Sequence, residues 1–461
     1  QITFSVTGTI TLTSDLTAIT DPVHINGPGA ASLTIDGADT YRVLHFDHIY
    51  AIDGTDEVTG LTITHGNGSS NPDGSGGAIQ VWYGTADMLL QDLVLTNNYT
   101  ENDGGAVNFY DNTGSMVLDH VTVTDNVADS GGGALYADKG IEDGDLTITI
   151  TNSIFTGNSA TLYAGGALYL SDAAVTITDS VISGNDAHLG GGGLYITGNQ
   201  SSLEVVNSTI SGNSALYGGG GIKAASSTSV AIFNSTISGN SAGYYGGGLY
   251  STAYATMIVQ STVSGNTASQ AGGIFVGANG GAAILLSTIT DNTATNPGTD
   301  PAVHGIQIWA PALITGTPED GGPHDRHEKA HAADTKHRAS ESGARAADDP
   351  IPAGTAMLIG DIVAGNGNLD IGRNGTNPSA NVQTIGSVLG TIEPVHIVVT
   401  DGGHNQIGVT AAAVNLGPLA DNGGPTKTHA LLPGSVAIDA GPATTDLPTF
   451  PGEEYDQRGT P

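Results

Sequence analysis

Apolar residues along this chain fall in short alternating runs and nowhere in a helical stripe. The run from Ser229 to Ser238 (SVAIFNSTIS) alternates apolar, largely β-branched residues with small polar ones, the signature of a half-buried strand. A helix needs about ten residues of 3.6 periodicity, and the glycine clusters between the runs leave no room for one. The runs also recur. An aliphatic residue, two further residues and an asparagine close each unit, giving Asn98, Asn126, Asn158, Asn185, Asn213, Asn240, Asn266 and Asn292, at spacings of 28, 32, 27, 28, 27, 26 and 26. A period in that range marks a stacked array of repeats.

Two columns of the repeat read as core. Three residues before each asparagine stand Leu95, Val123, Phe155, Ile182, Ile210, Ile237, Val263 and Ile289. About nine residues after it stand Val107, Leu135, Leu168, Leu194, Ile222, Leu249 and Ile274, each preceded by small residues, mostly Gly-Gly-Gly or Gly-Gly-Ala. A coil of short strands cannot bury its inner face alone, but coils stacked at strand spacing, roughly 4.8 Å, share one core. The predicted fold is all-β, a parallel β-helix (β-solenoid) of about 26–28 residues per coil. Gly and Asn tolerate left-handed turns and stacked amides bond to one another, so the asparagine column reads as structural.

Composition narrows the function classes. Glycine supplies 69 of 461 residues, which fits frequent turns and little helix. Cysteine is absent, excluding disulfides, thiolate metal sites and thiol nucleophiles. With 11 basic against 45 acidic residues the formal net charge is −34, which argues against nucleic acid, anionic lipid and polyanionic sugar as partners unless divalent cations intervene. No run approaches the roughly 18 apolar residues of a membrane span. The chain opens on Gln1 and enters a strand pattern at once, as expected of a processed, exported protein with its signal removed. The turn aspartates read as solvated turn formers; no cofactor is expected, though calcium at loop rims or a transition metal is admitted.

Four segments follow. Residues 1–60 lack the glycine triplets and read as N-terminal capping coils, which a stacked array needs against exposed edges. Residues 61–316 are the regular body. Residues 317–350 are a polar His/Ala-rich insertion with five of the eleven basic residues and four histidines. If its middle, Asp325 to Ala347, is helical, His324, His327, His331 and Asp334 share one face and form a set able to ligate zinc, copper or nickel. The alternative is a solvated Ala-rich segment. Residues 351–461 are the final coils and a C-terminal cap, in which Val363 and Asn366 repeat the aliphatic-x-x-Asn spacing.

The Gly-Gly-Ala units at Gly76 to Ile79, Gly104 to Val107, Gly132 to Leu135 and Gly165 to Leu168, with Phe155-Thr-Gly-Asn158, resemble the repeats of polymorphic outer-membrane proteins, which are surface-displayed β-helices. The tail carries Gly417-Pro-Leu-Ala-Asp-Asn-Gly-Gly-Pro-Thr426, Thr428 to Ser435 (THALLPGS), Ala437-Ile-Asp-Ala-Gly441 and Asp456-Gln-Arg-Gly459. It resembles the terminus of the bacterial surface proteins called choice-of-anchor Q proteins. These resemblances imply a right-handed parallel β-helix, export, and an extracellular or cell-surface life. They imply no reaction.

Pectin lyases and polygalacturonases share this fold, so an enzyme reading must rest on residues. Lys139 and Lys223 are isolated in the body, and Asp125, Asp179 and Asp291 stand at turn positions where aspartate is ordinary. Arg458, Asp439 and Asp456 read as an ion-paired cap, and His429 as structural or solvated. The sequence therefore reads as a non-enzymatic structural or adhesive protein. A polysaccharide-active enzyme of the pectate-lyase or glycoside-hydrolase kind is the alternative. Expected partners are another copy of the chain, joined end to end into filaments, or glycans on a host or neighbouring cell surface.

Overall fold

One coil shows how the sequence becomes structure. Leu146–Thr151 forms a strand that turns Leu146, Ile148 and Ile150 inward. At Asn152 the backbone enters the left-handed region (φ 51°) and the chain bends into Ile154–Thr156. Gly157 (φ 66°) bends it again, Asn158 fills the corner, and Ser159–Ala160 leads through the glycine loop to Leu168–Ser171. Among the described residues, stacked coils build three long parallel sheets, the first and second of 14 strands and the third of 11, with a fourth of eight two-residue strands. The chain is the right-handed β-helix expected. The computed structural model describes residues 1–309 and 355–440 apart from 49–53, 70, 72–73, 85–86, 141–143, 200, 226–227, 278–279, 296–302, 360, 368, 375–379, 386, 393–396 and 439.

Both predicted core columns are inside, every member at most 1 % exposed. The asparagine column is a hydrogen-bonded ladder. Each asparagine donates its backbone N–H and its Nδ2 to the Oδ1 of the next, as Asn185 does to Asn213 (both 2.9 Å) and Asn213 to Asn240 (3.0 and 2.9 Å). Asn292 passes the ladder to Asn366 (3.1 and 2.8 Å), 74 residues on, so the coils close in register across the inserted stretch. Asp370 ends it, its Oδ1 accepting from Asn366 N and Nδ2 (both 3.0 Å) and its Oδ2 from Thr391 N (2.8 Å).

A second ladder runs along the corner between the first and second sheets. Ser153, Ser180, Ser208, Ser235, Ser261 and Ser287 each accept, at Oγ, the backbone N–H of the coil before (3.0 to 3.1 Å). Asp361 takes the next position, accepting from Ser287 N at 2.8 Å, while its Oδ2 has no partner among the described residues. Burial pushes this carboxyl well above the usual range, against the backbone hydrogen bonds that lower it. A folded-state pKa raised in this way gives stability that is full below the unfolded value, near 4, and is lost as pH rises through the folded one. Asp361→Ser is therefore expected to stabilise the protein by about 1 kcal/mol at neutral pH, with a gain that shrinks toward pH 4. Urea titrations of both proteins across pH check this; a pH-independent difference would refute it.

Residues 1–60 enter the same register, His24–Asn26 lying between Ile2–Thr3 and Thr55–Thr59 in the first sheet. At the other end the last strand in the helical path among the described residues is Gln406–Ile407. The four-residue helix Ala411–Val414, capped by Thr410, packs Val414 against Ala364 and Val388. An antiparallel hairpin, Leu416–Ala420 with Thr428–Leu431, then runs back over the outer face of the second sheet. Thr426 Oγ1 donates to the Asn234 carbonyl (3.1 Å) and Thr236 Oγ1 to the Lys427 carbonyl (2.6 Å). His429 Nδ1 donates to the Gly417 carbonyl (2.7 Å), which leaves Nε2 to accept from the Ser264 hydroxyl (2.7 Å). His429 is thus a buried clasp between tail and body.

Candidate functional site

The residues singled out from sequence divide sharply. His324, His327, His331 and Asp334 lie outside the described residues, as do Asp439, Asp456 and Arg458. Asp125, Asp179 and Asp291 all hold left-handed backbone conformations (φ 56°, 50° and 57°), consistent with turn residues. Among the described residues no group of three or more His, Asp or Glu is arranged to hold a metal ion, and no helix is long and apolar enough to cross a membrane.

Unlike side chains converge instead on the outer face of the third sheet. Its strands read Leu135–Asp138, Leu168–Ser171, Leu194–Thr197, Ile222–Ala224, Leu249–Ser251 and Ile274–Val276. In each the first residue points inward, so alternation sends the second outward. Register then stacks Tyr136, Tyr169, Tyr195, Lys223, Tyr250 and Phe275 in one column. Tyr136 and Tyr169 are stacked (centroids 4.7 Å, planes 12° apart), Tyr169 meets Tyr195 edge-on at 5.2 Å, and Tyr250 stacks on Phe275 at 4.9 Å. A centroid spacing beyond the contact distance of about 3.5–4.0 Å means the stacked rings are offset; the four tyrosines and Lys223 are half-buried and Phe275 is fully buried. Lys223 Nζ lies 5.0 Å from the centroid of the Tyr195 ring, over its face.

Carboxylates gather at one end of this ladder. Asp138 lies two residues beyond Tyr136 on the same face, accepting from the Tyr136 hydroxyl (3.2 Å) and from Gly140 N (2.8 Å). Burial pushes its carboxyl up to about 6 against the lowering Gly140 bond, and Asp172 and Asp103 add repulsion. Burial also raises the Tyr136 and Tyr169 phenols, with Asp138 and Asp103 contributing to both. At pH 7 these hydroxyls are donors beside carboxylate acceptors.

A second, more exposed column runs alongside, on the loops before the third sheet. Successive loops stack through the bridges Ala164 to Gly190, Gly218 and Tyr245. Tyr163 reaches the Tyr169 ring at 6.0 Å and Tyr245 the Phe275 ring at 5.1 Å. Their neighbours point out: Leu162 is 66 % exposed, Leu216 47 % and Tyr244 52 %, with Tyr217 stacked on Tyr244 at 5.4 Å. Ladder and ridge make one continuous apolar and hydroxyl-bearing strip several coils long.

Comparison with known proteins agrees with the fold. The right-handed β-helix region family matches residues 140–312, and the Chlamydia polymorphic membrane protein repeat matches residues 120–138, a stretch that includes Tyr136 and Asp138. No curated protein matches the chain. Among solved structures it is similar to a periplasmic alginate epimerase, at 11 % identity and TM-score 0.40 over 85 % of this chain and 77 % of that one. It is also similar to the A-module of a mannuronan C-5 epimerase from Azotobacter vinelandii, at 14 % identity and TM-score 0.42 over 87 % of each chain. At those values neither likeness carries an argument about this chain.

Proposed function

We propose that this chain is a bacterial surface protein, of the choice-of-anchor Q kind, that adheres to polysaccharide through the tyrosine ladder of its third sheet. The observation that carries the reading is the ladder itself, set beside an exposed ridge of leucine and tyrosine. Ring stacking accounts for part of the column, since an aromatic pair contributes about 1 kcal/mol beyond its buried area. It does not account for Leu162, Leu216 and Tyr244, which are left largely in water. A long exposed apolar strip with polar neighbours marks an interaction surface. Sugar rings, with apolar faces and hydroxyl rims, suit a row of offset tyrosines flanked by carboxylates. The polymorphic membrane protein repeat at residues 120–138 supports display at a bacterial surface.

Tyr169→Ala is expected to weaken glycan binding by about 10- to 100-fold, the usual effect of truncating a central aromatic contact, while leaving the β-sheet circular dichroism unchanged. Isothermal titration with oligosaccharides found to bind in a glycan screen checks it, and unchanged affinity would remove the ladder from the binding surface. The enzyme reading stays testable in the same screen. Burial pushes the Asp138 carboxyl up to about 6, in the range a general acid or base needs near neutral pH. Polymer turnover that disappears in Asp138→Asn would replace adhesion with catalysis.

A further inference from the structure

We propose that the two ends of the solenoid are complementary and that copies of this chain stack head to tail, Gly8–Thr11 of one copy pairing in parallel with Gln406–Ile407 of the next and Ile2–Thr3 lying beside Ile397–Asp401. Among the described residues these four strands are the edges of the first and second sheets. At both ends the core is bare. The inner column of the second sheet begins Ile10, Ile35, Ile63 and finishes Val363, Leu389, Ile407. The four inner members of that set are at most 6 % exposed, whereas Ile10 is 36 % and Ile407 49 % exposed. The first sheet repeats the pattern at Ile2, which is 46 % exposed beside a buried Ile25. The runs GTIT at Gly8–Thr11 and IVVT at the start of Ile397–Asp401 carry no lysine or proline, two common means of blunting an edge. The helix and hairpin of the tail pack along the outer face of the second sheet and leave Ile407 open.

The surface that fits such an end is the opposite end of another copy. Two sheets and their inner columns must be met at once, and the opposite end presents both with the hand and strand spacing of the internal stack. The chain itself shows coils docking in register without a short tether. Thr288 pairs with Ile362 and Ile289 with Val363, and Asn292 bonds to Asn366, although 74 residues separate them. Because this contact joins unlike surfaces and does not close, it propagates into a filament. One group opposes it. Asp401 occupies the inward column of Leu358 and Thr384 at its exposed end, with Oδ1 accepting from Gly403 N at 2.8 Å, and an inward charge disfavours edge pairing. A filament would also carry the tyrosine ladder from copy to copy, letting weak contacts add, but the assembly does not depend on what the ladder binds.

The test is light scattering on the full chain across concentration, with negative-stain microscopy, in high salt that screens repulsion between chains of net charge −34. Mass is expected to rise with concentration past the dimer, with unbranched filaments in the micrographs, and Asp401→Thr to raise the association constant about tenfold by removing a charge buried on docking. Ile10→Lys and Ile407→Lys, both at exposed positions, should keep the β-sheet circular dichroism and thermal transition of the parent yet remain monomeric, each having lost one end. An equimolar mixture of the two should give dimers and nothing larger, since each retains one good end. Contact between like ends would instead leave one variant dimeric by itself. Monomers throughout the range for both the parent and Asp401→Thr overturn the proposal. So does association that persists in either lysine variant alone, or a mixture of the two that stays monomeric.

Discussion

Gly192→Ala is expected to destabilise the protein by about 3 kcal/mol or more, the upper end of what overpacking costs, while Gly193→Ala, one residue on, costs under about 1 kcal/mol. The two glycines look interchangeable in the triplet Gly191-Gly192-Gly193 but occupy different spaces. A Cβ on Gly192 would lie 2.2 Å from the Ser214 carbonyl oxygen and 2.5 Å from that of Gly220, both backbone atoms of the next coil. Neither can withdraw without breaking the stack. A Cβ on Gly193 would meet the Gly221 carbonyl at 2.7 Å and the Asn213 amide nitrogen at 3.1 Å, also close. Yet the same column holds Ala106, Ala134 and Ala167 in earlier coils, all fully buried, so the stack has shown that it can open enough there for a methyl group. Urea midpoints of the two variants decide the matter, and equal losses would show that the triplet is read by backbone flexibility rather than by space.

That contrast also shows what the sequence makes legible. Periodicity exposed the core columns because burial repeats identically in every coil, and the asparagines because each repeats one bond. The tyrosine ladder was equally periodic, standing one residue after the inner column at Tyr136, Tyr169, Tyr195 and Tyr250. The two buried columns do not lead to it, because an outward position carries no burial constraint of its own. Reading the residue after each buried leucine as a column of its own would have found it. Lys223 looked isolated for a related reason: its partner Tyr195 is 28 residues away in sequence and one rung away in space. The returning hairpin left no such signal. Thr426 and His429 bond to Asn234 and Ser264 through contacts made once, and a contact made once has no period to detect.

Asn213→Ala is expected to cost about 3–5 kcal/mol, more than the same change at Asn98. Asn213 Oδ1 takes both the backbone N–H and the Nδ2 of Asn185 (2.9 Å each), so alanine leaves two buried donors of the preceding coil unpaired. Each buried unsatisfied donor costs about 1–3 kcal/mol. The Nδ2 of Asn213 also leaves the Ile182 carbonyl (3.0 Å) and Asn240 Oδ1 (2.9 Å), cutting the ladder in both directions. Asn98 begins the run, and its Oδ1 takes one donor, Gly66 N at 2.8 Å. Because coils couple only to their neighbours, a break at Asn213 divides the stack near its middle, and denaturation should resolve into two steps, whereas Asn98→Ala should soften only the N-terminal coils and keep one main transition. Hydrogen exchange would locate the division between the coils of Asn185 and Asn213. A single transition with the same midpoint for both variants would mean that the amide ladder contributes no net stability and that stacking of the apolar columns alone holds the coils in register.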